Sequence, residues 1–414
     1  RNGNGRFKIK GIKTFISAGD HDGAENVVHL MLARIENAPP GAKGISLFVV
    51  PQKRLDGKEH LVSNDVTTAA VYHKLGGRGI PALELSMGEK DDCHGWLVGE
   101  ENKGLSHMFQ MMNAARINTG VSGMTLASTA YRNALEYTKE RIQGRDIARR
   151  KEGSVPIIDH PDVRRKLLWM KAAVDGMRSM IYSGAFWSDL ALELPDGAEK
   201  TLHADLIDFM TPIIKAYCSD LGFRVCETAI QCLGGYGFCK DFPLEQYLRD
   251  SKIMSLYEGT NGIQAADLLG RKMTMKNGAP FLAYQAKVDG FCRDHQNHPE
   301  LGTWIQSLGQ AAEKLWEMAT QMQQRMKSDP LQWASYTYPA LVAFGELTLV
   351  WRLLDMAVVA SPNAGKKGKK YDYYRAKVLQ ATYFTDVTLP HTLATISTCL
   401  RDEREILEIE DAAF

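Results

Sequence analysis

Over residues 1 to about 100 the apolar positions fall in short β-branched runs broken by Gly, Pro and Asn or Asp: Thr14–Ser17, Val27–Arg34, Ile45–Val50, Ala69–Tyr72, Ala82–Met87 and Trp96–Val98. Runs of that length and composition predict a small antiparallel β domain. The chain enters on what reads as a further strand, Phe7–Ile9, and Asn37–Gly44, with Pro39, Pro40 and Gly41, has the length of a hairpin loop. From Gly104 the period becomes helical, because Leu105, Met108, Met112 and Ala115 recur at i, i+3, i+7 and i+10. A second stripe, Leu167, Met170, Val174, Met177 and Ile181, follows a helix start at Asp159-His160-Pro161. A third helix is expected over Leu206–Leu233, stopped by Gly234 and Gly235, and a short fourth over Thr260–Met273. Together these predict a bundle.

Beyond about Asn277 at least three more helical stripes are read, the clearest being Leu308, Ala312, Leu315, Ala319 and Met322, then Phe344, Leu347, Trp351, Leu354 and Val358. They predict an additional helical domain. Ser361–Lys370 (SPNAGKKGKK) is expected to be an exposed loop. The predicted class is α+β: a small antiparallel β domain (a partial barrel, residues 1–102), a helical bundle (103–275) and a C-terminal helical domain (276–414).

Fifty basic against forty-nine acidic residues leave a formal net charge of +1, which removes the field that nucleic-acid binders use. The basic clusters Arg149-Arg150-Lys151, Arg164-Arg165-Lys166 and Lys366–Lys370 lack interleaved aromatic residues and read as solvated faces. The seven cysteines (Cys93, Cys218, Cys226, Cys232, Cys239, Cys292 and Cys399) are scattered and form no C-x-x-C pair, so a disulfide framework or zinc site is not expected. No apolar run approaches the ~20 residues that span a bilayer. A soluble, cytoplasmic protein is expected.

Candidate chemistry concentrates in two stretches. Leu256-Tyr257-Glu258-Gly259-Thr260-Asn261-Gly262-Ile263-Gln264 places a carboxylate in a turn before a helical run, beside a glycine whose backbone can approach a ligand closely. Taken alone, Glu258 reads first as an acidic residue favoured at a helix start. Gln231-Cys232-Leu233-Gly234-Gly235-Tyr236-Gly237-Phe238 places glycines after a helix, where exposed amides can meet phosphate oxygens, although such a turn is also a common helix stop.

These two motifs, 23 residues apart between Gly235 and Glu258 and with Arg249-Asp250 between them, resemble the acyl-CoA dehydrogenase family. The resemblance covers residues 7 to about 273. It implies that Glu258 takes a proton from the carbon next to a thioester carbonyl while hydride leaves the adjacent carbon for N5 of FAD. That chemistry requires a desolvated carboxylate and fixed donors for an enolate-like charge. The resemblance places Tyr257, Gly259, Arg116 and Asn113 at the acyl-CoA. It places His160, Thr260 and Asn261 at FAD, with Arg141, Gln143, Gln231, Gly234 and Gly235 reaching an FAD held by a neighbouring subunit. Phe15 and Ser17, in Lys13-Thr14-Phe15-Ile16-Ser17, stand where the family has an aromatic residue beside the flavin ring and a hydroxyl near N5.

The family commonly has a carboxylate at the Asn113 position, Trp and Thr at Phe15 and Ser17, and a Phe in the loop that here reads Arg141-Ile142-Gln143-Gly144-Arg145. Ala115 occupies the place of a relocated base, which leaves Glu258 as the one matching base. The layout with a C-terminal extension is similar to the branch containing 3-methylmercaptopropionyl-CoA dehydrogenase, so that thioester is one expected substrate. The family's N-terminal helical domain and the first half of its β domain are expected to be absent from this sequence. An electron-transfer flavoprotein as electron acceptor, a homodimer or homotetramer, and no nucleic acid or membrane span complete the expectation. The alternatives are an acyl-CoA oxidase and a DNA-binding flavoprotein of the same fold.

Overall fold

The computed structural model describes residues 5–365, 368 and 370–414. The chain divides into two compact units, Arg1–Ala115 and Arg116–Phe414.

The first unit is antiparallel β. Its strands are β1 (Arg6–Lys8), β2 (Gly11–Ser17), β3 (Val28–Arg34), β4 (Ile45–Pro51), β5 (Lys53–Leu55), β6 (Leu61–Ser63), β7 (Val66–Val71), β8 (Ala82–Met87) and β9 (His94–Val98). They form a four-stranded sheet β1-β9-β4-β3, a three-stranded sheet β2-β8-β7 and the small β5-β6 ribbon. The two larger sheets share one core, in which Phe7, Met31, Phe48 and Val50 meet Val66, Leu83, Leu85 and Met87. Asn37–Gly44 is the expected hairpin connection, since Val28↔Pro51 through Arg34↔Ile45 pair without interruption on either side of it.

Strand β2 breaks its alternation. Lys13 pairs with Leu85 and Ile16 with Leu83, so three steps on β2 oppose two on β8 and one residue is bulged out. Phe15 sits in the bulge with φ +58°.

Helix α1 (Gly104–Glu140) leads into the second unit. The hairpin β10 (Ile142–Arg145) and β11 (Ser154–Pro156) follows, then α2 (Pro161–Glu193), α3 (Ala198–Leu233), α4 (Leu244–Ser251) and α5 (Asn261–Ala266), the last running into a π turn over Asp267–Lys272. The remaining helices are α6 (Ala279–His295), α7 (Gly302–Ser328), α8 (Pro330–Ala364), α9 (Tyr371–Cys399) and the short α10 (Glu405–Glu408). One core runs through the whole unit, from Met170, Phe209 and Ile213 to Leu308, Phe344 and Leu354. Helices α1 and α3 cross at glycines: a Cβ on Gly222 would lie 2.6 Å from the Gly123 carbonyl oxygen, so neither position has room for a side chain.

Three expectations need revision. The β10–β11 hairpin and the β5–β6 ribbon were invisible in the periodicity, being three or four residues long each. Helix α3 begins at Ala198, ahead of the expected Leu206. Ser361–Ala364, expected in a loop, complete α8. Pro362 is tolerated there because the carbonyl of Val358, which its missing N–H would have used, accepts instead from Ser361 Oγ at 2.9 Å. Lys366, Lys367 and Lys369 of that expected loop lie outside the described residues. Parts of the other basic clusters are neutralised locally, Arg150 by Asp146, Lys151 by Asp159, and Arg165 with Lys166 by Asp162. Among the described residues all seven cysteines are free, no group of His, Cys, Asp or Glu is arranged for a metal, and no helix is long and apolar enough to cross a membrane.

Candidate active site

Glu258 lies in the loop that joins a 3₁₀ turn (Lys252–Ser255) to α5, and it is half-buried. Its backbone is in the left-handed region, φ +57°, and Gly259 follows at φ +88°. A non-glycine residue held at positive φ costs about 1–3 kcal/mol and persists only where its surroundings over-determine it. Here two buried cations do so. Arg116 Nε donates to the Glu258 carbonyl at 3.3 Å, and Lys215 Nζ donates to the Gly259 carbonyl at 2.7 Å. Hydrogen bonds from a charged donor are each worth about 1.5–3 kcal/mol, enough to hold the strained pair. Gln264 Nε2 reaches both carbonyls at 3.5 Å, and a Cβ on Gly259 would stand 2.6 Å from that nitrogen.

The helix behind the turn is anchored as firmly. Thr260 caps α5, its Oγ1 accepting from the Ile263 N–H at 3.3 Å. Asn261, expected at the cofactor, is buried with its side-chain amide engaged inside the chain: Oδ1 accepts from Lys215 at 2.9 Å, and Nδ2 donates to Asp220 at 2.7 Å and to the Ala216 carbonyl at 3.2 Å. Asp267, in the π turn, faces Arg116 at 3.6 Å and Arg271 at 2.7 Å. Burial lowers the Arg116 guanidinium from its ordinary value, opposed chiefly by Asp267. Burial likewise pushes the Lys215 ammonium down to about 8, against the opposing pull of Asp220, with Arg116 lowering it and Glu258 raising it. Burial also raises the Tyr257 phenol, whose hydroxyl donates to Met254 Sδ at 3.0 Å.

Arg116, expected at the acyl-CoA, here donates to the Glu258 carbonyl and faces Asp267. Asn113 lies three residues earlier on α1, one helical step along the same face. Lys215 was not foreseen, although a lysine inside the apolar run Pro212-Ile213-Ile214-Lys215-Ala216 is the kind of local conflict that marks a functional position.

A second group forms around the turn after α3. Gly234 ends the helix at φ +59°, ψ −136°, a region open to glycine and distinct from the left-handed cap that commonly closes helices. At Gly235 a Cβ would meet nothing within 4 Å, whereas a Cβ on Gly237 would lie 2.4 Å from the Ile230 carbonyl oxygen. Gln231 is exposed on the last turn of α3. The Arg141 guanidinium stands 5.9 Å from the centroid of the Tyr236 ring, so the Gly-rich turn and the β10 hairpin meet. Tyr236 also packs against Tyr137 and Phe242. His160, at the start of α2, donates from Nε2 to the Gln143 carbonyl at 2.7 Å. Arg141, Gln143, Gly234 and Gly235 are exposed.

In the β unit, Phe15 is 72% exposed and stacks on Tyr72 with ring centroids 4.8 Å apart, while Ser17 ends the strand, exposed. Tyr72 in turn donates to Glu84 at 2.9 Å. The bulge is what presents an aromatic ring outward on a strand that would otherwise alternate.

Comparison with known proteins gives these groups a family. Residues 102–273 match the family described as "Acyl-CoA dehydrogenase, C-terminal domain", and residues 284–410 match "Acetyl-CoA dehydrogenase C-terminal like". A butyryl-CoA dehydrogenase of Syntrophomonas wolfei is 35% identical over 420 residues, covering 99% of this chain and 68% of that protein. A 3-methylmercaptopropionyl-CoA dehydrogenase of Ruegeria pomeroyi is 36% identical over 396 residues, covering 93% of this chain and 65% of that protein. The chain thus spans about two thirds of the length of each. The crystal structure of an acyl-CoA dehydrogenase complexed with FAD from Bacillus anthracis shares the fold, with a TM-score of 0.71 at 19% identity over 99% of this chain and 65% of that one. With both family regions matched and a third of the positions identical along the chain's whole length, this chain belongs to the acyl-CoA dehydrogenase family.

Proposed function

We propose that the protein carries out α,β-dehydrogenation of an acyl-CoA thioester, with Glu258 as the base that removes the α proton. The observation that carries this reading is the Glu258–Gly259 turn: a half-buried glutamate at φ +57° whose backbone is held by two buried cations on consecutive carbonyls. Strain maintained at that expense is a feature of functional sites. A backbone fixed in this way gives the side chain a set starting point, which suits proton abstraction from carbon, a step that tolerates little misplacement of the base. Tyr257 and Gly259 flank it on the substrate side, with Arg116 acting through the Glu258 carbonyl and Asn113 one helical step away.

FAD is the cofactor in this reading, and when bound it supplies the acceptor for the β hydride. The residues present fit its phosphate-bearing half: an exposed guanidinium at Arg141, and a glycine at position 235 with open space where a side chain would stand. Gln143, His160, Gln231 and Gly234 complete that group, and Thr260 lies beside the base. On the β unit, exposed Phe15 and Ser17 are assigned to the flavin ring. An electron-transfer flavoprotein takes up the electrons, the protein is a homodimer or homotetramer in the cytoplasm, and residues 103–275 and 276–414 act as bundle and extension.

The test is anaerobic titration of the full-length flavoprotein with butyryl-CoA and 3-methylmercaptopropionyl-CoA, followed by flavin bleaching. Wild-type protein bleaches with at least one of them, and Glu258→Gln does not. Substantial flavin reduction by the variant rejects the reading, and peroxide formed without an electron carrier replaces it with an oxidase.

A further inference from the structure

Helix α8, in the C-terminal extension, packs against both α3 and α5. At that junction the Tyr338 hydroxyl of α8 donates to Asp220 Oδ2 of α3. The same carboxylate oxygen accepts from Asn261 Nδ2 at 2.7 Å, Asn261 Oδ1 accepts from Lys215 at 2.9 Å, and Lys215 donates to the Gly259 carbonyl at 2.7 Å. Lys215 is fully buried and Asn261 is 6% exposed, so water does not substitute for these partners. Each member needs the next. An Asn261 amide free to flip would present its N–H₂ to the lysine, and Asp220 prevents that by taking the amide donor. Lys215 in turn fixes the carbonyl that follows the strained residue.

We propose that the C-terminal extension sets the aim of Glu258 through this relay, Tyr338 to Asp220 to Asn261 to Lys215 to the Gly259 carbonyl. Tyr338, Asp220 and Lys215 are thereby positioning residues for the base. The inference rests on Glu258 being that base, and it assigns the extension a role in the rate of the reaction beyond stabilising the bundle. Tyr338 is the informative end of the relay, because the residue is 39% exposed and its hydroxyl is removed by Phe without a cavity.

The experiment is stopped-flow reduction of the full-length, FAD-loaded protein by whichever acyl-CoA bleaches the wild-type flavin, separating the limiting rate from the apparent Kd. Tyr338→Phe is expected to lower the limiting rate about fivefold with the Kd unchanged and the protein still fully folded at the assay temperature, a split that simple loss of packing does not produce. Lys215→Met is expected to lower it further, and adding Tyr338→Phe to it is expected to change nothing more, since both act through one chain of contacts. If Lys215→Met does not yield folded protein, Asp220→Asn takes its place in the pair. A wild-type limiting rate in Tyr338→Phe, or effects that multiply in the double variant, overturns the relay. Glu258→Gln run alongside separates the two claims: if it is inactive while Tyr338→Phe is fully active, the relay alone fails, and if it too reduces flavin, the assignment of the base fails.

Discussion

The second unit contains two turns with the same sequence ingredients, glycine beside an aromatic or charged residue after a helical segment, and the structure treats them in opposite ways. Around Glu258 and Gly259 every carbonyl is claimed by a side chain of the same chain, and the donors come from α1, α3 and α5. Around Gly234 and Gly235 the backbone is exposed, the neighbouring arginine faces solvent across a tyrosine ring, and Gly235 has empty space where a side chain would stand. The first turn is complete in itself and stores strain. The second is left open to solvent.

The widest gap between the two turns is expected in catalysis. Glu258→Gln keeps the size and the backbone contacts and removes the base, so flavin reduction by acyl-CoA should fall by about 10²–10⁴-fold while the fold is unchanged by circular dichroism. The next effect is on stability. Gly259→Ala puts a Cβ at φ +88° and 2.6 Å from Gln264 Nε2, so both strain and a displaced buried amide follow. A loss of roughly 2–4 kcal/mol in denaturant unfolding is expected. If Gly259→Ala were as stable as wild type, the account of the first turn as strained and over-determined would be wrong.

The sequence made much of this legible, unevenly. The helices α1, α2, α7 and α8 were readable because long amphipathic stripes average over many residues. The family was readable because the two motifs stand together at one spacing, although each alone has a commoner use as a helix start or a helix stop. What it hid was the partner of each group. That Lys215 and Asn261 meet depends on α3 and α5 packing side by side, 46 residues apart in sequence. That Arg116 turns to the Glu258 carbonyl depends on a contact 142 residues apart. The bulge at Phe15 is a register shift, which alternation read along one strand cannot report. Nor could composition separate Gly235, whose lack of a side chain nothing in the chain requires, from Gly237, which is pressed against Ile230.

A smaller effect sharpens the first turn further. Lys215 is lowered by burial to about 8, against an unfolded value near 10.5. Between those values the unfolded chain holds a proton that the folded one has released, so stability attributable to this group rises with pH across that window and is flat below it. Asp220, Arg116, Glu258 and Tyr338 are the charged or titratable groups around it. Measured by urea unfolding, wild-type protein should gain about 1–2 kcal/mol relative to Lys215→Met between pH 7.5 and pH 10, both approximate limits set by those values. A difference that stays constant or shrinks would mean that the lysine is not desolvated as its position indicates.

The smallest change in stability is expected at the second turn, and it is the most discriminating. Gly235→Ala adds a methyl group into open space at a residue outside the positive-φ region, and Arg141→Gln removes a charge whose neighbour is an exposed ring. Neither should move the unfolding free energy by more than about 0.5 kcal/mol. Both should lower the flavin-to-protein ratio retained after gel filtration, since a methyl group or a missing guanidinium matters there only to what binds. Gly237→Ala provides the opposite case in the same turn, because its Cβ would sit 2.4 Å from the Ile230 carbonyl and the protein should be destabilised. If Gly235→Ala and Arg141→Gln retain flavin as wild type does, the open turn is a helix stop and nothing more, and the contrast with the Glu258 turn reduces to one site and one piece of ordinary surface.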